Sequence, residues 1–163
     1  MSNNDLLRSL RYALNVNDRG MVDIFALSGT EVDLDFVEGL LGREDDEGYI
    51  ECGDMVATRF LDALIVHRRG PPRPGTPPPD PRARLNNNVI LRKLRIAFEL
   101  KDDDIHEILH IGEFPLSKSE VSAFFRTPSH PNFRLCGDQV MRHFLRGLGI
   151  WARRPKGQPQ HRA

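Results

Sequence analysis

Leu6, Leu7, Leu10, Ala13 and Leu14 recur at steps of one, three and four, which lays one apolar stripe along a helix whose other side carries Arg8, Arg11 and Asn15. A second helix is expected through Met21, Ile24, Phe25 and Leu27, with Asp18 as its N-cap and a stop near Gly29. A third opens at Asp33 and buries Val37, Leu40 and Leu41. The fourth opens at Asp54, carries Val56, Phe60, Leu61 and Leu64, and runs out in Arg68, Arg69 and Gly70, the cations and glycine that a helix C-terminus favours.

The same plan returns 84 residues later. Positions 3–70 align with 87–154 without a gap, and about 18 of the 68 pairs are identical. Asn3 and Asn4 become Asn87 and Asn88, Cys52-Gly53-Asp54 becomes Cys136-Gly137-Asp138, and Phe60, Leu61 and Leu64 become Phe144, Leu145 and Leu148. The second set of helices is expected at roughly 89–99, 103–111, 118–126 and 138–152. The pattern thus predicts an all-α protein of two homologous four-helix repeats, residues 1–70 and 87–154, joined by a proline-rich linker over 71–86. The run from Pro71 to Pro81 favours extended polyproline II, and at about 3.1 Å per residue it reaches some 35 Å, enough for several packing geometries. From 155 to 163 too few apolar residues remain to order the chain, so a disordered tail is expected.

Asn3-Asn4-Asp5, the run from Leu7 to Tyr12, Ile24 to Gly29, and Phe60 to Ile65 followed by Arg69-Gly70 resemble the YehS-like family of bacterial tandem-repeat helical proteins of unknown function. The resemblance covers both copies and implies a bacterial, cytoplasmic, helical protein; it supplies no catalytic residue. One departure is Glu38-Gly39-Leu40-Leu41, where such proteins usually have Ala-Trp in the middle. Since glycine costs an exposed helix up to about 1 kcal/mol against alanine, this third helix is expected to be the weaker one.

Charge alters the picture more than composition does. With 39% hydrophobic and 28% charged residues the chain has the makeup of a globular protein, and its zero net charge hides two unlike halves. Residues 1–70 carry 7 basic and 14 acidic side chains, whereas 71–163 carry 16 basic and 9 acidic, so the halves stand at −7 and +7. The asymmetry fits an anionic partner for the second half, or attraction between the halves or between copies of the chain. The first residues lack the basic and apolar parts of a signal peptide and no apolar run is long enough to span a bilayer, so a cytoplasmic protein without membrane contact is expected. Two cysteines are too few for a disulfide scaffold; Cys52 and Cys136 are expected as buried thiols just before a helix.

His106-Glu107-Ile108-Leu109-His110 matches the zinc-protease pattern, two imidazoles one turn apart with a glutamate to activate water. The equivalent stretch of the first copy, Val22 to Ala26, builds its helix without histidine, so a zinc hydrolase is only a remote reading and no metal or cofactor is assigned. No phosphate-binding glycine loop or nucleophile motif occurs. Asp54 and Asp138 are expected to pair with Arg8 or Arg11 and with Arg92 or Arg95, holding the first and fourth helices in register. The second and third helices of each copy can be read as helix-turn-helix-like, although the turn is long and the first reader acidic; in the second copy Ser117, Lys118, Ser119 and Arg126 suit phosphates better. Trp151, flanked by Leu148 and Ile150, suits the core or an interface better than a stacking platform.

These features point to a non-enzymatic binding module. The leading ligand is RNA or DNA on the basic second copy, through Arg92, Arg95, Lys118, Arg126, Arg142, Arg146, Arg153 and Arg154, with Arg142, Arg146 and Arg153 on one face of the last helix. A protein-interaction or self-association adaptor is the alternative.

Overall fold

The computed structural model describes residues 1–77, 80 and 84–155, and among them every regular element is a helix. The first copy contributes α1 (Asn3–Leu14), α2 (Asp18–Ala26), α3 (Leu34–Leu41) and α4 (Asp54–Arg69); the second contributes α5 (Asn87–Ala97), α6 (Asp102–Ile111), α7 (Lys118–Ala123) and α8 (Asp138–Ala152). The tail expected from 155 onward lies outside the described residues apart from Pro155.

Side-chain caps fix most of the starts. The Ser2 hydroxyl accepts from Asp5 N, Asp33 from Phe36 N at 2.8 Å, and Ser117 from Glu120 N. At α2 the cap is Asn17, accepting from Gly20 N at 2.8 Å, rather than Asp18, which occupies the first helical position. The largest misplacement is α7, which ends at Ala123 instead of 126. Phe124 and Phe125 close it with bonds to the carbonyls of Val121 and Ser122, the tighter turn that ends many helices.

The residues that repeat most faithfully build an internal clasp. Asn4 is buried under α1: its amide donates to the Leu40 and Ile50 carbonyls, each at 2.8 Å, and its oxygen accepts from Cys52 N at 3.1 Å. Asn88 does the same with Phe124, Arg134 and Cys136 at 3.1, 2.8 and 2.9 Å. The neighbouring Asn3 and Asn87 donate to the Asp54 and Asp138 carboxylates at 2.9 and 2.8 Å. The first and fourth helices are therefore registered by asparagine. The arginines expected in that role go elsewhere: Arg8 to Asp5 and the Gly42 carbonyl, Arg11 to Asp18, Arg95 to Asp102, while Arg92 is exposed.

Gly39 also has a packing reason. A Cβ there would stand 2.7 Å from Ile50 Cδ1, so the missing side chain lets Ile50 close over α3. The glycine is buried and does not mark a frayed helix.

The two copies exchange partners. α1 packs chiefly on α8 and α4 on α5, so the first helix of each copy lies against the fourth helix of the other, about an approximate twofold axis. Met1 N reaches Asp138 Oδ2 at 2.8 Å at one end of the α1/α8 pair, and Arg153 Nη1 donates to the Tyr12 carbonyl at 3.0 Å at the other, so these two helices run parallel. α4 and α5 are parallel too: Arg68 Nε donates to the Ala97 carbonyl at 3.1 Å and Arg69 pairs with Glu99, all at their C-terminal ends. Arg68 lies over the Phe98 ring and Arg153 over the Tyr12 ring, at 4.2 and 4.3 Å, so each junction is a helix end satisfied by an arginine from the other copy. Lys93 and Asp62, 2.5 Å apart and largely covered, tie α5 to α4. The buried apolar residues of both copies form one continuous core. Among the described residues no helix is long and apolar enough to cross a membrane.

Candidate nucleic-acid interface

The charge asymmetry is concentrated in one arm of each copy, the third helix and the loop that follows it. Residues 31–51 hold nine acids and one base, a net −8, whereas the equivalent 115–135 hold one acid and three bases, a net +2. That difference accounts for most of the polarity of the molecule. Where copy one has the acidic loop Glu44 to Glu47, copy two has Pro128, Ser129, His130 and Pro131.

The eight cations expected to bind phosphate are not gathered on one face. Arg153 and Arg154 have internal duties, the first at the Tyr12 helix end and the second on Glu107 at 3.2 Å. Arg153 is also the C-cap of α8 and not a continuation of the Arg142 and Arg146 face. Arg95 stacks over Phe125 and pairs with Asp102 at 2.8 Å. Lys118 pairs with Asp103 at 3.0 Å and Arg146 with Glu113 at 3.7 Å, exposed pairs worth a few tenths to about 1 kcal/mol. Arg92, Arg126 and Arg142 are exposed and form no salt bridge among the described residues. At the position equivalent to Asp5, which pairs with Arg8, the second copy has Val89, and this leaves Arg92 without the carboxylate its counterpart enjoys.

A fourth such cation, Arg134, escapes a reading by helix faces because it lies in a loop. The contrast between the copies would have shown it, since its counterpart is Ile50. Arg134 and Arg126 line a shallow groove of about 270 Å³ with Ser119, Glu120, Ala123 and Asn132. The backbone at Arg134 is pinned: its N–H donates to the Ala123 carbonyl at 3.1 Å and its own carbonyl accepts from Asn88. Beside the groove Asn132 N donates to His130 Nδ1 at 3.0 Å. Arg126 Nη1 stands 3.3 Å from His130 Nε2, and the guanidinium is exposed. Glu120 accepts from Ser117 N at 3.1 Å, and that hydrogen bond holds its carboxyl below the ordinary value, so it is charged at neutral pH.

The other motifs are placed differently. In the His106 to His110 segment Glu107 is buried and turned to Arg154, while His110 is exposed. Among the described residues no three His, Cys, Asp or Glu side chains come together as a metal site. Cys52 and Cys136 are buried free thiols, and burial, with the charge of Asp54 or Asp138 beside them, pushes each up to about 12. Trp151 packs against the core. As a DNA reader α7 is only six residues, about 9 Å, and the turn before it runs from Gly112 to Ser117, so the helix-turn-helix-like reading loses its reader.

The family described as "Protein of unknown function (DUF1456)" matches twice, over residues 3–70 and 87–154. The chain is 45% identical over 157 residues to the "Uncharacterized protein YehS" of Escherichia coli (strain K12), an alignment covering 96% of this chain and all of that protein. No solved structure matches.

Proposed function

The chain belongs to the DUF1456 family, whose description assigns no activity, and from its own surface we propose that it is a non-enzymatic module that binds nucleic acid through the second copy. One observation carries this reading: Arg92, Arg126, Arg134 and Arg142 are exposed cations outside any salt bridge among the described residues, on a copy whose third-helix arm is stripped of the acids its twin carries. Phosphates reward such cations by releasing counterions, and the acidic arm of the first copy repels the same strand, which directs it to one side.

The test is fluorescence anisotropy of the full chain with labelled RNA and DNA between about 50 and 200 mM salt. Binding that weakens steeply with salt is expected, with the slope falling by roughly one unit for Arg142→Gln. Arg153→Ala serves as the contrast: it should lower stability by about 1 kcal/mol, by exposing the Tyr12 helix end, and leave the slope unchanged. Absent or salt-insensitive binding removes the reading.

The −8 and +2 arms favour a second reading, head-to-tail self-association between the acidic arm of one molecule and the basic arm of the next. Sedimentation velocity at low salt separates the two, because a chain that stays monomeric there and binds RNA or DNA supports the first.

A further inference from the structure

Resting on that reading, we propose that the groove between α7 and the 126–134 loop is a one-nucleotide subsite for single-stranded nucleic acid, with Arg126 and Arg134 holding the phosphodiester. The chain contains its own comparison. In copy one the same place is filled, because Ile50 lies on Gly39 with its N–H bonded to the Gly39 carbonyl at 3.0 Å, and the surrounding loop is acidic. Copy two keeps that backbone bond, from Arg134 to Ala123, while isoleucine becomes arginine, glycine becomes alanine, the helix shortens from eight residues to six, and a groove opens. The retained backbone bond holds Arg134 where the first copy packs Ile50, so a packing residue is replaced by one that can contact a ligand.

Electrostatics set the stoichiometry. Two guanidiniums against the single Glu120 carboxylate leave one net positive charge, which matches one phosphodiester. Arg126 is exposed and outside any salt bridge among the described residues, so its guanidinium is available to an anionic oxygen. Arg134 is held by the buried Asn88 clasp, and little backbone freedom is lost when it binds. The walls fit a single strand better than a duplex: the exposed Pro131 offers an apolar surface beside the arginines, on which an unstacked base can rest. A duplex keeps its bases stacked and would need a reading helix longer than α7. At about 270 Å³ the groove lies just below the range of drug-sized pockets, room for one nucleotide.

The experiment uses the full chain, a labelled single strand and the same sequence as a duplex. Arg126→Gln and Arg134→Gln should each weaken single-strand binding about tenfold and lower the salt slope by roughly one unit, with Arg134→Lys keeping most of the slope. The pair Arg134→Ile with Ala123→Gly restores the residues of the first copy, so it should fold and yet lose the same affinity. If these variants bind as the parent does while Arg92→Gln or Arg142→Gln weakens binding, the subsite is wrong and the broader reading stands. Tighter binding of the duplex also overturns the subsite. If the parent chain binds neither RNA nor DNA, both fall.

Discussion

At the scale of single residues the two thiols give the clearest pH dependence. Cys52 and Cys136 ionise near 9 in an open chain and are pushed up to about 12 in the fold, where burial disfavours the thiolate. Their contribution is therefore fully present below about pH 9, and it is lost as pH rises toward 12, because over that interval the unfolded chain binds fewer protons than the folded one. Each thiol should take away up to about 1.4 kcal/mol per pH unit in that window. Urea unfolding from about pH 8 to about pH 11 should show the parent losing stability faster than a Cys52→Ala/Cys136→Ala variant; equal losses would contradict the assignment. The burial of these thiols was legible from their place before a helix, but the asparagine clasp around them was not. Asn4 looks in sequence like an ordinary polar residue near a helix start, and its partners lie 36 to 48 positions away. The expected pairing of Asp54 with an arginine is sound charge chemistry, but the Asp54 carboxylate accepts from Asn3 instead, whose amide also reaches the Cys52 carbonyl.

At the scale of elements, α6 and α8 approach so closely that backbone meets backbone. A Cβ on Gly147 would fall inside contact distance of the Ile108 carbonyl oxygen, and one on Gly112 would strike the His143 carbonyl. His143 Nδ1 and the Gly112 carbonyl, 2.7 Å apart, mark the same crossing. Gly147→Ala should therefore cost about 3 kcal/mol or more, although alanine is the better helix former. The equivalent position of the first copy already holds Ala63, buried on α4, and Ala63→Gly should cost only about 1 kcal/mol. Denaturant unfolding of both variants tests the contrast; a neutral Gly147→Ala would mean that the helices separate freely. Periodicity located the eight helices of the described residues, since each has one apolar stripe, and it overran α7 because Phe124 and Phe125 extend that stripe after the backbone has turned. Close approach leaves no trace in an apolar pattern, so Gly147 reads there as a mere weak point in α8.

At the scale of the whole molecule the exchange of helices between copies decides how it unfolds. Neither copy can keep its first and fourth helices covered alone, so heat or denaturant should produce one transition, and a protease cut engineered beside Gly75 should leave the two pieces bound to each other on a sizing column. Two separate transitions, or pieces that elute apart, would refute the exchange. Duplication was legible because identities recur at a fixed offset; the exchange was not, because a stripe shows which face is buried and never against which neighbour. The linker's reach allowed several geometries, and the structure adopts one. Since α4 and α5 run parallel, the chain must travel back from the C-terminal end of α4 to the start of α5, at least the ~16 Å length of an 11-residue helix, which a short turn cannot do. The parallel α1 and α8 have a mechanical counterpart. Met1 lies at one end of that pair and Arg153 at the other, so tension on the chain's two ends pulls the helices lengthwise past each other. Their contacts then carry the load together in shear, the Tyr12 and Asp138 anchors included, where an antiparallel pair pulled from adjacent ends would peel apart one turn at a time.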